Sequence, residues 1–268
     1  MDEGDSEAPN SLLVTEADKR VYVLDQVNRR IQVFRAGKYE RAIPLPDQTT
    51  IDDMGLLPNG QLALVTQYKS KFFVIDQRGA VLQQVPFASV EVPSPSLLWL
   101  QGKVDGLYRD TGSELTLQFD REGKVVSSGA TVHALATSPD GAWWVKLAAH
   151  EPERLAFTYG GRDAAVGRPF ELLVDKPSSP DTLGALAIDL DAQGNVYVLI
   201  EAIWGKAPRP LKRRTYLSVW SPELVELRRL SLPGIDPDHQ PHRYGFLTPE
   251  GFFYYLDISK KRICVRRY

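Results

Sequence analysis

Two stretches of this chain gather side chains that could do chemistry. In Asp236-Pro237-Asp238-His239-Gln240-Pro241-His242-Arg243, carboxylates and imidazoles crowd together, and these are the donor types that hold zinc or calcium. His133 could join them. No His-x3-His spacing sets the two histidines on one helical face, so a polar, proline-rich connector is the plainer reading of Asp236, Asp238, His239 and His242. The second stretch is Glu201-Ala202-Ile203-Trp204-Gly205-Lys206-Ala207-Pro208-Arg209-Pro210-Leu211-Lys212-Arg213-Arg214. From Lys206 onward it holds five basic residues and no acid. Bases beside an aromatic could hold an anionic partner by ion pairing and stacking. A solvated hairpin, a phosphate or glycan site and a protein contact all remain open for this loop.

Catalytic signatures are missing from the sequence. There is no Gly-x-Ser-x-Gly elbow and no Gly-x4-Gly-Lys-Ser/Thr loop, the motifs that expose a nucleophilic serine or cradle a nucleotide phosphate. Serine, histidine and aspartate all occur, but nothing aligns them as a triad.

Composition narrows the class further. The 268 residues are 43% apolar and 25% charged, a balance that excludes a wholly disordered chain. No apolar run approaches the roughly 18 residues of a membrane helix. A net charge of -2 argues against general nucleic-acid binding. The single cysteine, Cys264, excludes an internal disulfide and a cysteine-rich zinc site. It is expected to be a small buried apolar residue. Residues 1–10 carry Asp2, Glu3, Asp5 and Glu7 without a base or an apolar core. They are expected to form a flexible acidic leader, not a signal peptide.

The elements that must position these residues emerge from a repeat. An apolar strand, a tight polar turn and a second, more aromatic or branched strand recur roughly every 40 residues. The turns are Asp18-Lys19, Asn59-Gly60, Gly102-Lys103, Asp140-Gly141, Gln193-Gly194 and Glu250-Gly251. Such dipeptides supply positive φ at low cost and close hairpins. A third strand follows each unit, as in Ile31-Gln32-Val33-Phe34, and a fourth follows most. Pro44, Pro46, Pro86 and Pro233 suit an outer strand that need not donate every hydrogen bond. No stretch has convincing amphipathic helical periodicity. The pattern predicts an all-β fold: a six-bladed β-propeller of four-stranded antiparallel blades, forming one domain over residues 11–268. The chain ends at the third strand of the sixth blade, so that blade is expected to lack its own outer strand. Pairing of residues 4–10 along Ile263 to Val265 would change that.

The segment Val21-Tyr22-Val23-Leu24-Asp25-Gln26-Val27-Asn28-Arg29-Arg30-Ile31-Gln32-Val33-Phe34 resembles the core of an NHL repeat. Asp25 matches the Asp that ends the second strand of that repeat, Asn28 the Asn of its turn, and Arg30 the Arg that opens its third strand. Leu256-Asp257-Ile258-Ser259-Lys260-Lys261-Arg262-Ile263 echoes it, with Lys260 in place of the Asn. The four middle blades keep the strand spacing alone. The resemblance implies a propeller that binds proteins, RNA or glycans, with lyase or lactonase chemistry in a minority of relatives. It supports the fold more than a function. A carboxylate and a guanidinium flanking one hairpin are expected to brace its turn.

In a propeller the outer-to-inner and second-to-third strand connections share one face, the usual binding surface. That arrangement assembles Asp52, Asp53, His133, Asp181 and the Asp236–Tyr244 loop with His150, Glu151 and the basic loop. The resulting expectation is a recognition or scaffold module binding a protein partner through Trp204, Lys206, Arg209, Lys212, Arg213, Arg214 and Arg243, without a cofactor. An anionic ligand or glycan is a further possible partner, and nucleic acid is not expected. The alternative is a metal-dependent hydrolase or lyase of the lactonase-like type, with calcium or zinc held in the channel. The acidic leader after Met1 suits an exported bacterial protein, periplasmic or extracellular, and a cytoplasmic one remains open.

Overall fold

The computed structural model describes residues 9–46, 50–51, 53–57, 59–66, 71–86, 97–99, 107–110, 116–119, 125–129, 136–139, 142–151, 153–161, 164, 166–173, 180–205, 212–234, 243–259 and 262–268. Among them there is no helix; every regular element is a strand. The first sheet is β1 (Ser11–Thr15), β2 (Arg20–Asp25), β3 (Arg30–Arg35) and β4 (Lys38–Pro44). The second is β5 (Asp53–Leu56), β6 (Leu62–Thr66), β7 (Lys71–Ile75) and β8 (Val81–Pro86). The third is β9 (Leu97–Trp99), β10 (Leu107–Asp110), β11 (Thr116–Phe119) and β12 (Val125–Gly129). The fourth is β13 (Ala136–Thr137), β14 (Trp143–Glu151), β15 (Arg154–Gly161) and β16 (Arg168–Leu173). The fifth is β17 (Thr182–Leu190), β18 (Val196–Trp204), β19 (Lys212–Trp220) and β20 (Glu226–Leu232). The sixth holds three strands, β21 (Gly245–Leu247), β22 (Phe253–Ser259) and β23 (Arg262–Arg267). In every sheet the strands lie in chain order, an up-and-down meander of antiparallel neighbours.

The expected meandering antiparallel sheets are therefore present, and the sheet of β21 to β23 has no fourth strand among the described residues. Of residues 4–10, weighed as a closing strand, 4–8 lie outside them. Asn10 is already tied in, its N–H donating to Leu24 O at 2.8 Å. The turn chemistry also matches: Lys19, Gly60, Gly194 and Gly251 have φ of 54°, 80°, 84° and 87°. Gly102-Lys103 and Asp140-Gly141 lie outside the described residues. No helix among those residues is long and apolar enough to cross a membrane.

The described chain divides into two compact units, residues 1–133 with 238–246 and residues 134–237 with 247–268. In the first, Leu13, Leu24, Ile31, Val33, Met54 and Leu64 join one buried apolar cluster drawn from the first two sheets. The period-two alternation of β3 puts Ile31 and Val33 in this core and Arg30 and Gln32 outside it. β1 is buried on both faces over Ser11 to Val14, as a strand flanked by packed layers must be, and so reads as a continuous apolar run. In the second unit Phe157, Tyr159, Leu172, Val198 and Leu217 are fully enclosed. Cys264 is only half-buried, because β23 is the last strand of its sheet.

Candidate functional site

Three arrangements of polar side chains are built by these strands, two in the first unit and one in the second. The first lies where β1 and β5 begin. Asp53 is completely buried. Its Oδ1 accepts from the Ser11 hydroxyl and from Met54 N–H at 2.8 Å. Its Oδ2 takes the Arg243 Nη2 donor at 2.5 Å. Arg243 N–H also donates to Asn10 O at 3.1 Å, and its guanidinium stands 6.0 Å from the Phe246 ring. The carboxylate is thus neutralised by a guanidinium and saturated with donors, which is what a buried charge needs. Arg243, expected at a partner surface, is engaged inside the first unit through a residue 190 positions away.

The second arrangement is the turn that joins β2 to β3. Asp25 is buried and accepts from Asn28 Nδ2 at 2.9 Å, Arg30 Nε at 2.9 Å and Gln32 Nε2 at 2.7 Å. Burial would raise the Asp25 pKa, but these donors outweigh it and hold the carboxyl below its ordinary value. This is the bracing expected of Asp25 and Arg30, with Asn28 and Gln32 added. In the sixth sheet Asp257 is braced by Arg266 at 2.7 Å. Arg266 stands two residues beyond the Cys264 register partner, as Gln32 stands two beyond Arg30.

Asp25→Ala is therefore expected to lower stability at neutral pH by about 1–3 kcal/mol, towards the low end because the Arg30 side chain is 42% exposed. A carboxyl with a depressed folded pKa stabilises fully above its unfolded value, and the contribution fades as pH falls through the folded value. The gap between wild type and Asp25→Ala should hold from neutral pH down to about 4 and close below it. Denaturation followed across pH checks this; a gap unchanged well below that range would refute the bracing role.

The third arrangement is the β18–β19 hairpin. The sequence reads residues 201–214 as one long loop, but nine-residue strands take in residues 201–204 and 212–214, and only residues 205–211 separate them. The extra length extends the ladder. In this register Trp204 faces Lys212, Ile203 faces Arg213 and Ala202 faces Arg214. Lys212 Nζ lies 5.8 Å and the Arg214 guanidinium 5.9 Å from the Trp204 ring, within cation–π range. Arg213 points to the other side of the strand, where Nη1 meets Glu201 Oε1 at 3.3 Å. The loop end of β18 is pinned: Asp181 N–H donates to Ile203 O at 2.8 Å, and Gly205 N–H donates to Asp181 Oδ2 at 2.6 Å.

His150 and Glu151, expected in a loop, end β14. His150 Nε2 contacts Leu183 O, and Glu151 pairs with Arg154. Lys206, Arg209, His133, Asp236, Asp238, His239 and His242 lie outside the described residues, so the metal-site reading falls outside them too. Among the described residues, no three His, Cys, Asp or Glu groups come together as a metal site. Sequence reasoning missed the union of Ser11, Asp53 and Arg243; its only local signal was an aspartate opening an apolar strand. It also missed the sorting of Lys212 and Arg214 from Arg213, which period-two alternation would have supplied once the loop was read as strand.

No protein-family model matches the sequence, and no curated protein matches it. Solved structures match the fold. A member of the DUF4221 family from Bacteroides vulgatus superposes with a TM-score of 0.60 at 12% identity, over 100% of this chain and 95% of that one. The gluconolactonase XC5397 from Xanthomonas campestris gives 0.56 at 13% identity, over 94% and 84%. The WD40 β-propeller domain of Doa1 gives 0.50 at 12%, over 96% and 77%. Meandering antiparallel sheets and these likenesses define the class: the chain is a β-propeller protein. A WD40 domain and a gluconolactonase both stand among its structural neighbours, so the fold does not choose a function.

Proposed function

We propose that the protein is a recognition module, an NHL-like propeller that binds a protein partner through the β18–β19 hairpin. The observation that supports this is Trp204 held between Lys212 and Arg214 at the end of a hairpin that outruns ordinary strand length. Lys212 and Arg214 are exposed, and Trp204 is half-exposed. An aromatic with adjacent guanidinium and ammonium groups is the side-chain mixture that dominates binding energy at protein interfaces, and a pinned hairpin presents it with little ordering cost. The WD40 domain among the structural neighbours is in keeping with a scaffold that recognises proteins. In this reading Arg213 and Arg243 serve the framework, and Trp204, Lys212 and Arg214 meet the partner.

The test is affinity capture from an extract of the source cells with wild type and with Trp204→Ala/Arg214→Ala. The double variant should lose the captured partner and still unfold cooperatively, with a stability loss of about 1–2 kcal/mol from the half-buried ring and its two cation–π contacts. Undiminished capture by the folded double variant would sink the proposal.

A further inference from the structure

The β18–β19 hairpin also reaches past the strand that covers it. β19 pairs with β18 as far as Trp204↔Lys212, but its pairing with β20 stops at Thr215↔Leu232. Pro233 follows Leu232 and has no N–H with which to continue the ladder. Among the described residues, no strand lies beside the outer edge of Lys212, Arg213 and Arg214. A sheet edge of this kind offers backbone N–H and C=O groups to an incoming strand.

The side chains along the overhang say what that strand should carry. Lys212 and Arg214 project from one face, where the Trp204 ring gathers both cations. The stretch Lys206 to Arg214 adds further positive charge and no acid. We propose that this overhang takes an extended, acidic segment of the partner protein as an added strand, its alternate carboxylates meeting Lys212 and Arg214. The inference rests on the recognition reading above and names the element of the partner that is recognised. Main-chain pairing supplies the docking and alternate side chains the specificity, as in other strand additions. Three residues make a short ladder, so ion pairing carries much of the affinity and binding weakens as salt rises.

The probe is a fluorescein-labelled alternating Glu-Val peptide of about ten residues, strand-length for such an edge, followed by fluorescence anisotropy with the intact chain. Three comparisons accompany it: the Lys-Val counterpart, a Glu-Val peptide N-methylated at alternate residues, and inorganic polyphosphate as competitor. The Glu-Val peptide should bind and the Lys-Val peptide should not. Lys212→Ala/Arg214→Ala should weaken binding about tenfold or more, an effect of at least 1.4 kcal/mol, with an unchanged melt.

N-methylation, which removes ladder donors and keeps the charge, should weaken binding comparably. Equal binding of the N-methylated peptide, or displacement by polyphosphate with no dependence on backbone donors, would reduce the edge to a simple anion-attracting patch and overturn the inference. So would absence of Glu-Val binding. The two proposals fail separately. Capture lost in Trp204→Ala/Arg214→Ala without Glu-Val binding ends the strand-addition idea alone, whereas capture that persists in that variant ends the recognition reading.

Discussion

Asp53→Ala is expected to destabilise the protein by about 3–5 kcal/mol, because it strands a charge, not because it removes one contact. The substitution leaves the Ser11 hydroxyl and the Arg243 guanidinium without the carboxylate that accepts from both. The Arg243 side chain is 18% exposed and that of Asp53 1%, so little water is available to replace the lost partner. Arg243→Ala should cost a similar amount for the complementary reason, a buried carboxylate without its cation. The double variant should cost clearly less than the two singles together, since neither charge then remains, with a coupling of about 1–3 kcal/mol for such close pairs.

Guanidinium or urea denaturation of the four proteins measures all of this. If Arg243 instead served a partner surface, its alanine variant would keep full stability and lose capture, and the two outcomes cannot be confused. A loss below about 1 kcal/mol for Asp53→Ala would show that the ion pair contributes no more than an exposed one.

The second large effect is expected at Gly194, in the turn between β17 and β18. Its φ of 84° lies in the left-handed region, and a Cβ there would stand 2.8 Å from Trp143 Cδ1 and 2.9 Å from the Tyr159 hydroxyl. Those rings are not free to retreat. They stack with centroids 5.5 Å apart, Tyr159 is fully enclosed, and its hydroxyl donates to Gly194 O at 3.0 Å. Burial pushes the Tyr159 hydroxyl up to about 12, so it stays protonated and remains a donor.

Gly194→Ala should therefore cost about 1–2 kcal/mol for backbone strain and about 1–3 kcal/mol more for overpacking. Gly37 separates the two contributions, because its φ is 77° but no atom lies within 4 Å of a Cβ built on it. Gly37→Ala should show the strain alone. Equal losses at the two positions would mean that the rings shift readily and that the turn is not seated against them.

Both effects concern the frame, and the proposed binding hairpin depends on that frame being stiff. β18 is anchored along β17 through Ile203 opposite Thr182, and Asp181 pins the peptide at Gly205. Trp204 with its two cations is thus carried on a strand, which fixes side-chain direction better than a loop does.

The sequence by itself determined what depends on near neighbours. Turn dipeptides such as Asn59-Gly60 and Gln193-Gly194 permit the positive φ that closes a hairpin, and apolar alternation in Ile31-Gln32-Val33-Phe34 marks which side turns inward. Repeated roughly every 40 residues, these local rules sufficed for the meandering four-stranded sheets and the propeller class. The Asp25–Arg30 brace was legible for the same reason, since its partners flank one turn.

Tertiary structure alone decided the rest. Whether residues 201–214 form a loop or prolong two strands depends on pairing across the hairpin and on support from β17, which composition does not record. That pairing separates Lys212 and Arg214 from Arg213, although the three are similar in type and consecutive in the chain. The Asp53–Arg243 pair joins residues 190 positions apart. Burial turns that pair into an internal anchor, because desolvation makes a carboxylate and a guanidinium depend on each other only after the fold has excluded water from both.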